Sequence, residues 1–188
     1  MWRLIAAAAA LAAAGATAAA LVITEAVPDP APTMAAGGPG AGTAAKFRLL
    51  AHQQSNRCSL MPGELMRYPP GRRLQGSCCA PMSLSRYQRQ VAALRRYAGI
   101  PQIPPDPYDI PAGLAQRLTR YQEAVRLAAA QRSVYQAAMR LAPERGPCCC
   151  HCWRWDEGLS DYLISQRHWS AARLAALIGD LDGCGGSG

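Results

Sequence analysis

The sequence predicts an all-α fold, a small bundle of about four helices with an irregular N-terminal arm and Cys-rich loops at the helix N-termini. Three observations support this prediction. Apolar residues recur at helical spacing in four segments, no stretch alternates with strand periodicity over a useful length, and alanine is abundant whereas phenylalanine occurs once. Small Ala-lined interfaces give a thin core, so we expect metal or disulfide cross-links to help stabilise the domain.

The predicted helices lie in the C-terminal part of the chain. The first has Ser83 as N-cap and an apolar face of Leu84, Tyr87, Val91 and Leu94. Five prolines between Ile100 and Pro111 predict an extended connector, and a long helix should follow with Asp109 as its N-cap. The expected helices are Ser83–Ala98, about Pro111–Ala142, Asp156–Gln166 and Ser170–Leu181. We expect Phe47 to Gly76 to form loops with at most short helical turns, and the tail from Gly183 to be disordered except at Cys184.

The N-terminus predicts export. Residues 1–26 contain an uncharged, Ala-rich stretch that follows Arg3 and precedes Glu25, which predicts a signal peptide or a retained membrane anchor. Residues 27–45 are rich in Ala, Pro and Gly and predict a flexible linker, so residues 46–188 form the predicted Cys-rich helical domain. The expected location is therefore extracytoplasmic, either periplasmic or at the cell surface.

The predicted domain is strongly basic. Removing Arg3, Glu25 and Asp29 from the totals of 20 basic and 12 acidic residues leaves a net charge of +9. This charge could favour an acidic protein partner or a membrane surface. Export argues against nucleic acid as the partner, and we prefer to attribute the arginine content to high-GC coding. The sequence leaves the oligomeric state open.

The densest chemical feature is Pro147-Cys148-Cys149-Cys150-His151-Cys152, with a second pair at Cys78-Cys79. Thiolates and imidazole suit Cu(I) or zinc, and an iron–sulfur cluster less well. In an extended loop Cys148, Cys150 and Cys152 share one face, whereas a turn would make Cys149 and Cys152 a C-x-x-C pair. The predicted metal ligands are Cys78, Cys79, Cys148, Cys149, Cys150, His151 and Cys152.

Both clusters are expected just before a helix, where the helix dipole and nearby arginines favour thiolates. Five other residues have weaker signals. Met82 could add a thioether ligand for copper, but we favour a core position for it. We favour a surface or junction position for His168, and His52 has no other candidate ligand beside it in the sequence. Trp153 and Trp155 either cover the thiolates or pack ordinarily at a helix start.

The six residues Pro147 to Cys152 resemble the signature of the PCYCGC-motif family of exported bacterial proteins, whose function is uncharacterised. Pro147, Cys148, Cys150 and Cys152 match the signature, while Cys149 stands in place of Tyr and His151 in place of Gly. No cysteine lies between Cys152 and Cys184, where family members often have one. The resemblance implies extracytoplasmic thiol or metal chemistry.

Three functions remain open from the sequence. The preferred hypothesis is a metal-binding protein without catalysis of its own. The alternatives are a structural or interaction protein stapled by disulfides, including long-range bridges to Cys58 or Cys184, and a thiol–disulfide redox protein that uses Cys149 and Cys152. No catalytic residue set, phosphate-binding loop or paired catalytic carboxylates stand out, so a hydrolase or nucleotide-binding enzyme is not predicted.

Overall fold

A computed structural model of the chain describes residues 39–57, 60, 62–142 and 153–186. Within these residues the fold is mostly helical, as predicted, but a four-helix bundle is not confirmed. The α-helices are α1 (Pro39–Ala51), α2 (Pro62–Leu65), α3 (Leu84–Leu94), α4 (Ala112–Ala124), α5 (Ala129–Leu141), α6 (Trp153–Arg167) and α7 (Ala171–Asp180). Two short strands, β1 (Arg73–Gln75) and β2 (Asp109–Pro111), complete these elements.

The two strands form an antiparallel sheet that the sequence analysis missed. Leu74 pairs with Ile110 in its centre, and both side chains are buried. Three residues per strand are too few to show alternation in a sequence. Asp109, predicted to be an N-cap, instead lies in β2, and Pro111 is the N-cap of α4.

Charged groups explain the position of Asp109. Its carboxylate is buried and pairs with Arg73 and with Lys46 of α1. Burial by itself would raise the pKa of Asp109, but the hydrogen bonds and positive charges of Arg73 and Lys46 lower it overall. Asp109 therefore ties α1 to the sheet.

The predicted long helix is divided into α4 and α5. The elbow between them, Val125 to Ala128, begins and ends in extended backbone. Leu127 of the elbow packs against the main hydrophobic core. Two hydrogen bonds hold the elbow: the N–H of Ala128 donates to the side chain of Gln131, and the side chain of Arg132 donates to the carbonyl of Leu127. The elbow sequence contains no Gly or Pro, so tertiary packing has overridden helix propensity here.

The main core is centred on the close packing of α4 against α6. Gly158 allows this approach, because a Cβ atom at this position would lie 1.9 Å from the carbonyl oxygen of Leu118. Leu159 and Leu163 of α6 are buried against this interface, and α5 packs mainly against α7. Burial of each leucine contributes roughly 1.5–3 kcal/mol.

The other predicted helices are confirmed with shifted ends. The first predicted helix forms α3, followed by a 3-10 turn at Arg95–Tyr97. The third corresponds to α6, which begins at Trp153 rather than Asp156. The fourth corresponds to α7 and is capped by the Ser170 hydroxyl, which accepts a hydrogen bond from the N–H of Arg173. The predicted face of α3 is only partly correct. Leu84 is 37 % exposed, whereas Arg86 and Gln90 are buried.

The ends of the described region also differ from expectation. Helix α1 begins at Pro39, inside the predicted linker, and occupies part of the expected irregular arm. Its Leu50 forms a second small core with Tyr87 and Tyr108. The predicted signal or anchor in residues 1–26 lies outside the described residues. No helix among those that are described is both long and apolar enough to cross a membrane.

Candidate metal centre

The segment that carries Cys78 and Cys79 lies between β1 and α3 and pairs with the C-terminal tail. The N–H of Cys78 donates to the carbonyl of Gly183, and the N–H of Ala80 donates to the carbonyl of Cys184. The N–H of Gly186 donates to the carbonyl of Pro81 at 2.9 Å. The tail, predicted to be disordered, is therefore docked as far as the structure describes it, to Gly186.

This pairing depends on a glycine at position 185. Gly185 has a φ of +80°, and a Cβ atom there would lie 2.0 Å from the carbonyl oxygen of Ala80. A positive φ disfavours other residues, and a backbone oxygen cannot move aside as a flexible side chain can. Gly185 therefore lets the tail approach the Cys78–Cys79 segment closely.

The pairing brings three sulfur atoms together, from Cys78, Cys79 and Cys184, which we call the three-cysteine cluster. All three Sγ atoms lie within 4.8 Å of one another. The Sγ atoms of Cys78 and Cys79 are 3.2 Å apart, and those of Cys78 and Cys184 are 3.7 Å apart. A metal with bonds of about 2.3 Å to sulfur sets tetrahedral ligands about 3.8 Å apart. The cluster could therefore hold a metal ion.

The oxidation state of the cluster decides whether an ion can bind. Cys79 is disulfide-bonded in this structure, whereas Cys184 is a thiol. A sulfur in a disulfide is not a thiolate ligand. All three sulfurs can therefore ligate one ion only in the reduced protein.

Asp182 fixes the tail from the other side of Cys184. Its carboxylate pairs with the buried Arg86 of α3 at 2.5 Å and accepts a hydrogen bond from the N–H of Cys184 at 2.9 Å. Gln90 donates to the Asp182 carbonyl at 2.8 Å and accepts from the hydroxyl of Tyr108. A buried polar network thus connects the cluster to α3 and to the second small core.

The electrostatics of Cys184 differ from the predicted preference for thiolates. The hydrogen bond with Cys78, burial, and the nearby Asp182 carboxylate all raise the pKa of the Cys184 thiol. The dipole of α3 gives little help at Cys79, because this residue precedes Leu84 by five positions and the dipole's effect falls off within the first turn. Metal binding at Cys184 must therefore displace a tightly held proton.

The second predicted cluster lies outside the described residues. It comprises Cys148, Cys149, Cys150, His151 and Cys152, and Cys58 is outside as well. The structure shows that α6 begins at Trp153, directly after Cys152. Both the position of this cluster before a helix and its ligand role stay predictions.

Several weaker signals have clear positions. Met82 packs against the small core of Leu50, Tyr87 and Tyr108, as favoured. His168 is exposed at the junction of α6 and α7 with a φ of 52°, also as favoured. Trp155 is buried in the main core, which supports ordinary packing for this residue.

Sequence reasoning missed Cys184 as a possible ligand and considered it only as a disulfide partner. It is 106 residues from Cys78, so no local spacing connects them. The available signal was the pattern Asp182-Gly183-Cys184-Gly185-Gly186, in which glycines permit close backbone approach.

Comparisons with known proteins give no relative for this chain. No protein-family model, no curated protein and no solved structure matches it.

Proposed function

We propose that this chain is an extracytoplasmic, thiol-rich metal-binding protein that holds Cu(I) or zinc when its cysteines are reduced. The three-cysteine cluster supplies three thiolates to one ion. The observation that carries the proposal is the convergence of Cys78, Cys79 and Cys184 to within 4.8 Å from two distant parts of the chain. Soft thiolate ligands select Cu(I) and zinc over hard cations such as Mg²⁺.

Three thiolates suffice for a trigonal Cu(I) ion, whereas a structural zinc ion needs a fourth ligand. In this proposal the fourth ligand comes from the second cluster, whose candidates are Cys148, Cys149, Cys150, His151 and Cys152. The extracytoplasmic location rests on Arg3 and the apolar stretch that follows it. The basic domain then faces acidic proteins or lipid headgroups on the outer side of the membrane.

The test is metal binding by the full chain, reduced and kept free of oxygen. We expect about one equivalent of Cu(I) or zinc at the cluster, lost in Cys184→Ser. Met82→Leu is the matched control, because Met82 packs in the small core beside the cluster. Replacing Cys148, Cys150 and Cys152 with serine should weaken the binding of zinc more than the binding of Cu(I) if this loop supplies the fourth ligand. Unchanged metal content in Cys184→Ser would refute the proposal.

A second candidate is a structural or interaction protein stapled by disulfides, and the disulfide at Cys79 favours it. A disulfide stabilises a small domain by restricting its unfolded chain, typically by about 2–4 kcal/mol. Peptide mapping under non-reducing conditions separates the two functions. A protein isolated with its cysteines fully oxidised, and unable to bind metal after reduction, supports the disulfide function. A redox function for Cys149 and Cys152 predicts instead that the protein reduces insulin.

A further inference from the structure

A cavity of about 300 Å³ lies at the elbow between α4 and α5, far in sequence from the three-cysteine cluster. We call it the elbow pocket. Val125 and Leu127 of the elbow and Tyr135 of α5 contribute apolar surface, and Glu157 and Asp161 of α6 contribute carboxylates. Small-molecule sites in proteins are typically clefts of about this size that combine apolar walls with a few polar or charged groups.

The two carboxylates stand next to each other. Glu157 and Asp161 are one helical turn apart, so they lie on the same face of α6, and both residues are partly buried. Burial and the charge of Glu157 raise the pKa of Asp161 to about 6. The pair therefore concentrates negative charge that favours a cation beside it.

Four aspartates elsewhere in the described part of the chain are ion-paired with basic residues, namely Asp106, Asp109, Asp180 and Asp182. Neither carboxylate of the elbow pocket forms an ion pair with another residue in the described part of the chain. A ligand cation in the pocket would balance the negative charge of Glu157 and Asp161, which no ion pair among the described residues balances.

Two arginines from another part of the chain, the elbow and α5, line the same pocket as the carboxylates of α6. Arg126 and Arg132 are both exposed lining residues. Arg132 Nη1 donates to the carbonyl of Leu127 at 2.5 Å, which holds its guanidinium at the elbow. Guanidinium groups bind carboxylates through paired hydrogen bonds. The pocket thus presents both signs of charge with apolar surface among them.

We propose that the elbow pocket binds a small zwitterion with an ammonium group at one end and a carboxylate at the other, of the amino-acid class. Its ammonium group lies against Glu157 and Asp161, and its carboxylate contacts Arg126 and Arg132. Its methylene groups cover the apolar wall. The positive charge of the ammonium group offsets the repulsion between two adjacent carboxylates, which is the physical reason for a preference for this ligand over a neutral one of equal size.

The test uses calorimetric titration of the full chain with γ-aminobutyrate, butylamine and butyrate. These three probes have the same carbon chain and differ only in their charged ends. We expect saturable binding of γ-aminobutyrate and at least about tenfold weaker binding of the two others, since each lacks one charge-assisted contact. Asp161→Asn should weaken the binding of γ-aminobutyrate by about tenfold. The exposed α4 carboxylate Glu123, which does not line the cavity, provides the control Glu123→Gln, and this variant should bind as the parent does.

Asp161→Asn removes a repulsive charge and keeps the side-chain shape, so this variant should remain folded, which a thermal melt verifies. The proposal is overturned if γ-aminobutyrate shows no saturable binding, or if Asp161→Asn binds it as tightly as the parent. Equal binding of butyrate would make the pocket an anion site, and equal binding of butylamine would make it a simple cation site. Either result contradicts a zwitterion site.

Discussion

Replacing Gly185 with alanine should detach the C-terminal tail from the segment that carries Cys78 and Cys79. The added Cβ atom would lie 2.0 Å from the Ala80 carbonyl oxygen, well inside the normal contact distance. The oxygen belongs to the backbone, so the tail must move instead. Cys184 moves with it, and the three-cysteine cluster comes apart.

The size of the effect follows from the bonds that hold the tail. Three backbone hydrogen bonds join it to residues 78–81, and each contributes about 0.5–1.5 kcal/mol, so their loss costs roughly 3 kcal/mol. The assembled cluster then becomes about 100-fold less populated. The apparent affinity for a metal falls in the same proportion, because only the assembled form binds fully.

The assay is competition with a chromophoric chelator for Cu(I) or zinc, on the reduced full chain without oxygen. Gly186→Ala is the matched control. Gly186 has a φ of +83°, so alanine suffers the same backbone strain, but nothing lies within 4 Å of its added Cβ atom. We expect about a fivefold loss in the control, corresponding to a strain of about 1 kcal/mol.

Equal affinities in Gly185→Ala and Gly186→Ala would refute the steric argument. A readout without metal separates this failure from failure of the metal proposal. The Ala80 N–H donates to the Cys184 carbonyl at 2.8 Å. Its hydrogen exchange should accelerate in Gly185→Ala and change little in the control, whether or not an ion binds.

Three further predictions concern the stability of the fold. Gly158→Ala should destabilise the fold by about 2–3 kcal/mol in a urea melt, because the added methyl group would clash with the Leu118 carbonyl oxygen. Gly179→Ala, at an open position on α7, should stabilise the fold by up to about 1 kcal/mol. Similar changes in stability in both variants would contradict the close α4–α6 contact. Asp161→Asn should raise stability near neutral pH by on the order of 1 kcal/mol, discounted for solvent screening. Since the pKa of Asp161 is raised to about 6, its charge destabilises the fold as pH rises through that value, so the advantage of the variant should shrink in acid; a constant difference would contradict this. Asp109→Asn should cost about 2 kcal/mol near neutral pH, because Arg73 loses its carboxylate partner and Lys46 keeps only Asp106. The cost should diminish as acid protonates the parent Asp109, whose pKa is lowered in the fold.

Local patterns predicted the helices well where one face is apolar and the ends are marked. Ser170 and the Leu174, Leu177 and Ile178 face define α7 within one residue of its observed limits. Periodicity and caps are local properties, so they can be recognised without the fold. Leu84 shows the limit of this reasoning. It fits the apolar period of α3 but is exposed, whereas Arg86 and Gln90, which bind Asp182 of the tail, are buried.

The amino-acid sequence by itself determined the helical class, the unusual density of cysteine and the position of Cys78 and Cys79 before a helix. Tertiary structure alone decided the break at Val125–Ala128, the small sheet and the place of the tail. Each of these depends on groups distant in sequence. The elbow forms because Leu127 reaches the main core, and Cys184 joins Cys78 because Gly185 permits close approach and Asp182 finds Arg86. Long-range contacts of this kind leave no periodic trace in the chain, so the third member of the cluster became visible only in the folded protein.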